Sequence, residues 1–311
     1  MQNIFLAGHN GMVGSALQSL VHPEICFHTA DRSELEISNK KEVASFLVLN
    51  RIDSVVVAAA KVGGIGANAS DQYSFLCENL EIQNGLIEGA HKAGIKNLVF
   101  LGSSCIYPRM SRQPISETEL LSGPLESTNE GYALAKIAGI KMCQALASQF
   151  KLNYFSLMPT NLYGPNDNYK FGDSHVPAAL MRRFHEAKLS GINNVVVWGT
   201  GQPMREFMHV NDLASAIVFF LNKECRGELI NIGTGSEISI KDFAELMAKI
   251  VGYEGKIDFD TSKPDGTPRK LLDIEKAKSF GWKSTIKLEE GLIATYEWFR
   301  MAYEKRGIRG Y

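Results

Sequence analysis

Cysteine is scarce and scattered in this chain. Its five thiols, Cys26, Cys77, Cys105, Cys143 and Cys225, include no CxxC pair. An odd, dispersed set argues against a disulfide framework and a zinc site, and suits a reducing compartment. No metal is expected. A charge excess is missing too: 33 Lys and Arg face 34 Asp and Glu, for a net charge of -1. That balance gives no basic footprint for nucleic acid or an anionic membrane surface. No apolar run reaches the length of a bilayer span. The N-terminus enters NIFLAG directly, without the basic region, apolar stretch and cleavage site of a signal peptide. Repeats and low-complexity linkers are absent. The expectation is a soluble cytoplasmic protein with no nucleic-acid and no membrane partner.

What is present is an alternation of strand and helix signals. The 311 residues allow one large α/β domain or a domain with a smaller lobe. Short apolar runs at 4–7, 25–29, 54–60, 97–101 and 154–158 read as strands of a parallel sheet. A long helix at 73–93 carries an apolar face with Leu76, Leu80, Ile87 and Ala90. That face suits either a homodimer contact or core packing. After residue 164 the alternation breaks. Helices are expected at 176–188, 211–221, 240–251 and 288–305, and strands at 194–198, 207–210 and 229–232. The fold class predicted is α/β, a Rossmann-type doubly wound parallel sheet with a smaller, discontinuous C-terminal substrate lobe. The dinucleotide-binding part covers 1–164 and is rejoined by 207–235. The lobe is woven from 165–206 and 236–311.

Gly8-His9-Asn10-Gly11-Met12-Val13-Gly14 follows the first strand and opens a helical pattern. Glycines there let the backbone approach a pyrophosphate, which sits over the helix N-terminus. Ala30-Asp31-Arg32 ends the second strand, where an adenosine ribose would lie. An acid favours a free 2′-hydroxyl and an arginine a 2′-phosphate. Both stand side by side, so the local sequence leaves NAD and NADP open, and Arg32 is equally a solvated loop charge.

The central strand at 97–101 stops at Gly102 and delivers Ser103, Ser104 and Cys105 to its carboxyl end, the ligand edge of an open α/β sheet. Tyr132 and Lys136 follow four residues apart on one helix face. A phenol is a poor acid or base at neutrality, and a nearby ammonium is expected to lower its pKa. A serine hydroxyl aimed at the same point can hydrogen-bond a carbonyl oxygen that gains charge. Ser103, Tyr132 and Lys136 therefore suit polarising a ketone while a hydride reaches its carbon. Cys105 has a plainer reading as a small buried hydrophobe, His175 as a loop histidine, and Trp198 as a core residue at a strand end.

These residues resemble the extended short-chain dehydrogenase/reductase superfamily, and within it the GDP-sugar 3,5-epimerase-4-reductases. The likeness covers nearly the whole chain. Its pieces are GHNGMVGSAL, AAAKVGGI, FLGSSCIYP, YALAKIAGIK, MPTNLYGPND, the SHVP segment and KPDGTPRKLLD. The first loop and YxxxK are common to such dehydrogenases; SSCIYP, SHVP and PDGTPRK carry the narrower likeness. The resemblance implies NADP(H) as cofactor and a GDP-sugar substrate, a 4-keto-6-deoxymannose that is epimerised at C3 and C5 and reduced at C4. A nucleotide-sugar 4-epimerase or 4,6-dehydratase retaining NAD is the alternative, and a nucleotide-sensing protein without turnover a more distant one.

The resemblance assigns reduction to Ser103, Tyr132 and Lys136 and epimerisation to Cys105 and His175. It places cofactor contacts on Gly8, His9, Asn10, Gly11, Met12, Val13, Gly14, Leu101, Gly102, Ser103, Ser104, Lys136, Pro159, Thr160, Asn161, Leu162 and His175. Substrate contacts fall on Arg183, Trp198, Arg205 and Asp265. Two positions depart from the family. Asn10 stands where an arginine able to reach a 2′-phosphate is frequent, and Ala30 offers no basic group at the second strand's end. Arg32 is the candidate substitute. The implied chemistry is coherent. A C4 ketone acidifies both neighbouring carbons, a Cys–His pair can exchange protons near neutrality, and one oxyanion site serves both steps.

Overall fold

A computed structural model of the chain describes residues 1–20, 22–263 and 265–310. The first half runs β1 (Gln2–Ala7), α1 (Met12–Ser19), β2 (Ile25–His28), α2 (Lys40–Leu49), β3 (Ser54–Val57), α3 (Ile65–Ser70), α4 (Gln72–Lys92), β4 (Asn97–Leu101) and α5 (Glu130–Phe150). Then come β5 (Asn153–Pro159), β6 (Asn161–Tyr163), α6 (Val176–Leu189), β7 (Asn194–Trp198), β8 (Met204–Arg205), β9 (Phe207–His209), α7 (Val210–Leu221) and β10 (Leu229–Ile232). The chain closes with β11 (Ile238–Ser239), α8 (Ile240–Val251), β12 (Lys256–Asp260), β13 (Arg269–Lys270), α9 (Glu275–Ser279) and α10 (Leu288–Glu304).

Six strands pair in the order β10-β5-β4-β3-β1-β2, all parallel. Successive side chains on a strand face opposite sides, and the two packed clusters follow that alternation. Phe5, Val55, Val57, Leu98 and Phe100 meet α2, α4 and α5 through Val43, Leu47, Leu86, Ile87 and Ile140. Ile4, Leu6, Val56, Val99 and Leu101 meet α1 and α7 through Leu17, Leu213, Ile217 and Phe220. The sheet is therefore doubly wound, as predicted, with its order reversing between β1 and β3, where such sheets hold their ligands.

A third cluster lies beyond the sheet. Phe184 of α6, Phe243 of α8 and Phe299 of α10 are fully buried there, with Val195 and Val197 of β7. Leu272 and Ile274 instead join the first sheet cluster, and Ala277 and Trp282 the second.

Ile87 and Ala90 of α4 are wholly buried against the sheet, so that half of its apolar face packs inward. The third strand ends at Val57, three residues short of the expected limit, because the turn after β1 presses on Ala58 and Ala59: a Cβ on Gly8 would lie 2.6 Å from the Ala59 nitrogen. α2 was not anticipated. Asn39 caps it, its side-chain oxygen accepting from the N–H groups of Lys41 and Glu42. Val48 and Leu49 are exposed at its end and blur the apolar period.

One buried carboxylate links the sheet to the third cluster. Glu206 is 0% exposed and lies between β8 and β9. Its Oε1 accepts from the Thr234 and Gly235 N–H groups at 2.6 and 2.7 Å, and its Oε2 from the Leu272 N–H at 3.1 Å. Its backbone carbonyl accepts from the Thr160 hydroxyl at 3.2 Å and the Asn161 amide at 2.9 Å. Gly233 must lack a side chain, since a Cβ there would come 2.5 Å from Oε1. Burial pushes the Glu206 carboxyl up, and the three backbone donors oppose that. Glu206→Gln turns an acceptor into an N–H group facing other N–H groups. We expect it to cost about 2–4 kcal/mol in denaturant unfolding; an unchanged midpoint would show that the carboxylate is not a structural tie.

Candidate active site

β1 and β2 are adjacent, with Phe5 opposite His28, so the turn after β1 meets the segment after β2. Gly8 has φ +92°, a conformation that favours glycine, and a Cβ on Gly14 would run into the Gly8 carbonyl. The Gly11 N–H donates to that same carbonyl at 3.1 Å. Gly11 is the N-cap of α1 and offers no side-chain cap, so the first-turn N–H groups are left for an external acceptor. The cradle fits a dinucleotide pyrophosphate. Beside it, Asp31 Oδ1 accepts from Asn10 Nδ2 at 3.0 Å and lies 3.3 Å from His9 Nε2. Arg32 is exposed.

The end of β4 brings the next groups in. The Gly102 N–H donates to the Leu157 carbonyl at 3.0 Å, which keeps β4 beside β5 to its last residue. Ser103, Ser104 and Cys105 then turn, the Cys105 N–H donating to Ser103 Oγ at 3.4 Å. Lys136 is buried on α5, and its Nζ donates to the Leu101 carbonyl at 2.8 Å, 5.8 Å from the centre of the Tyr132 ring. Burial pushes Lys136 down to about 8, with the Cys105 sulfur opposing. Tyr132 moves against the expected direction: its phenol is pushed up, not down. Burial is the main cause and negative charge on Cys105 adds to it, while a hydrogen bond with Ser103 pulls back. The Lys136 ammonium, 5.8 Å from the ring centre, does not reverse this. Tyr132 is therefore set up as a neutral proton donor.

His175 stands at the N-terminus of α6, held by the loop after β3. That loop explains the KVGG sequence: a Cβ on Gly63 would lie 2.8 Å from Asp173 Oδ1, and one on Gly64 3.1 Å from the Ser174 carbonyl. His175 is exposed, and desolvation by the surrounding protein pushes its pKa down, with Asp173 opposing and Lys270 assisting. Pro159–Leu162, at the end of β5, reaches the same edge of the sheet. The Thr160 N–H donates to Ile232 there at 3.0 Å.

The four residues expected to meet the substrate lie along one rim. Arg183 Nη1 donates to the Val196 carbonyl on β7 at 2.6 Å. Trp198, 59% exposed, ends that strand. Asp265 accepts from the Thr200 N–H and hydroxyl at 2.7 and 2.8 Å, and its carbonyl lies 3.5 Å from Arg205 Nη2. Pro264, at the start of that loop, lies outside the described residues. Two guanidinium groups, an aromatic face and a carboxylate form a set suited to a nucleoside diphosphate.

Residues 4–233 match the NAD dependent epimerase/dehydratase family. The chain belongs to that family. Among its relatives, the probable GDP-L-fucose synthase 1 of Oryza sativa subsp. japonica is 52% identical over 301 residues, covering 95% of this chain and 91% of that protein. The GDP-L-fucose synthase of Escherichia coli strain K12 is 48% identical over 311 residues, covering 96% of each. A GDP-mannoheptose C4 reductase from Campylobacter jejuni with NADP bound superposes with a TM-score of 0.86 at 35% identity, covering 96% of this chain and 98% of that one. Among the described residues, no helix is long and apolar enough to cross a membrane.

One side chain in this member of the epimerase/dehydratase family was not singled out from the sequence. Lys270 lies on β13, opposite Arg205 of β8. With Ser104, Cys105, Glu126 and Asn129 it lines a cavity of about 30 Å³. Asn129 Oδ1 is buried without a protein partner. Burial pushes the Cys105 thiol up, and the Lys270 ammonium is the strongest influence pulling it back, ahead of the Ser103 hydroxyl and Lys136. The PDGTPRK string was visible, but nothing in it says that its last lysine reaches a thiol 165 residues earlier. We expect Lys270→Met to slow iodoacetamide alkylation of Cys105 about tenfold near neutral pH, read by peptide mass spectrometry. An unchanged rate would mean that the ammonium does not act on the thiol.

Proposed function

We propose that the chain converts GDP-4-keto-6-deoxy-D-mannose to GDP-L-fucose, by epimerisation at C3 and C5 and NADPH-dependent reduction at C4. The observation that carries this reading is that the Tyr132 phenol hydrogen-bonds the Ser103 hydroxyl and lies near enough to Cys105 to feel its charge. A reductase without epimerisation has no use for a thiol beside its oxyanion donors.

The chemistry follows from that placement. Ser103 and Tyr132 hydrogen-bond the C4 oxygen of the sugar, where charge collects when a proton leaves C3 or C5. Cys105, with Lys270 stabilising its thiolate, removes or returns that proton on one face, and His175 does so on the other. A dinucleotide held by the Gly8–Gly14 turn would supply the hydride for C4. Tyr132 then delivers its phenolic proton to the C4 oxygen, and the Lys136 ammonium stabilises the phenolate that remains. Arg183, Arg205, Trp198 and Asp265 hold the nucleoside diphosphate, on a substrate lobe drawn from 165–206 and 236–311. A free thiol at Cys105 needs a reducing setting, which supports a cytoplasmic location. A homodimer is inferred through what α4 leaves outside, the exposed Tyr73 and the half-buried Leu76 and Leu80.

With the keto sugar present, the absorbance of the reduced cofactor is expected to fall; its persistence at saturating substrate with both NADPH and NADH contradicts the reading. Cys105→Ser is expected to slow solvent-deuterium entry at C3 and C5 by about 100-fold or more, while reduction of an already epimerised keto sugar continues. Equal loss of both would remove the role given to the thiol.

A further inference from the structure

The dinucleotide cradle carries an acid beside the place where the adenosine ribose would sit, and the structure holds that acid in a definite position. We propose that Asp31, held by His9 and Asn10 at the end of β2, selects the dinucleotide and admits NADH on at least equal terms with NADPH. The proposal rests on the reading of this site as a reductase and concerns the cofactor's far end, not the reacting ring.

Asp31 is placed rather than loose. Its carbonyl accepts from the Glu34 and Leu35 N–H groups at 2.9 and 3.0 Å, closing a turn immediately after β2. Asn10 Nδ2 and His9 Nε2, from the pyrophosphate turn, both address its Oδ1. Asp31 itself is 63% exposed, so its second oxygen is available to a ligand. A carboxylate at this place accepts hydrogen bonds from the two ribose hydroxyls and repels a 2′-phosphate. The Asp31 N–H, a donor that a phosphate oxygen could have used, is already taken by Glu34 Oε2 at 2.8 Å.

The cations that would reverse this are missing or turned elsewhere. Asn10 is spent as a donor to Asp31, and Ala30 carries no charge. Arg32 is exposed and near Glu36, whose carboxyl is held down first by hydrogen bonds from Ser38 and, more weakly, by that guanidinium. The end of β2 thus presents Asp31, Glu34 and Glu36 against Arg32 and the His9 imidazole, which is engaged on Asp31. A doubly charged phosphate needs several converging donors, and here it meets more acid than base.

The test is binding without sugar, read by the fluorescence of the reduced nicotinamide. Wild-type protein is expected to bind NADH within about threefold of NADPH or tighter; NADPH tighter by more than that overturns the proposal. Asp31→Ala is expected to move the ratio of the two dissociation constants toward NADPH by about tenfold or more, and a smaller movement removes the assignment to Asp31. Arg32→Ala is expected to move that ratio by less than about threefold, whereas a larger movement would mean that Arg32 and not Asp31 reads this end. Adding the keto sugar separates the two readings. Oxidation of neither cofactor sinks the reaction proposed above, while the binding ratio still decides the role of Asp31.

Discussion

The hydrogen bond from Lys136 Nζ to the Leu101 carbonyl fixes the geometry of the candidate site. It ties the helix that carries Tyr132 to the strand end that carries Ser103 and Cys105. A buried ammonium is costly unless its donors are occupied, and the last carbonyl of β4 occupies one of them. The two elements therefore cannot slide past each other without stranding a charge. The phenol stays protonated because its burial outweighs every other influence on it.

The second half of the site depends on a different tie. Glu206 gathers N–H groups from the turn after β10 and from Leu272, and its carbonyl holds Thr160 and Asn161. Leu272 follows Lys270 by two residues, and Arg205 precedes Glu206 directly. One buried carboxylate thus sets where the rim cations stand relative to the end of β5. Three distant stretches of chain meet on it, which holds the segments around Arg205 and Lys270 in register with the sheet.

Much of this was legible in the sequence. The strands at 97–101 and 194–198 were read to the residue because each is a short apolar run stopped by a glycine, Gly102 or Gly199. The glycine turn, YxxxK and the serine after β4 were found through chemistry tied to position. The rest was hidden for physical reasons. β8, β11 and β13 are two residues each and exist only through mutual pairing. α2 has two buried apolar residues and an exposed apolar end, a pattern too weak to identify. Lys270 reaches Cys105 only because β13 pairs with β8, a contact that local sequence does not encode. The direction of the Tyr132 shift was misjudged because spacing shows that a lysine is near, but not how deeply the phenol is buried.

In the proposed reaction one pair of hydroxyls, Ser103 and Tyr132, supports charge on the same sugar oxygen during both proton exchange and reduction. The most direct test of this is the Ser103→Ala variant, with deuterium entry at C3 and C5 and cofactor oxidation followed on the same substrate. The account predicts that both rates fall together by about 100-fold or more. A variant that lost reduction but exchanged protons at the full rate would contradict it.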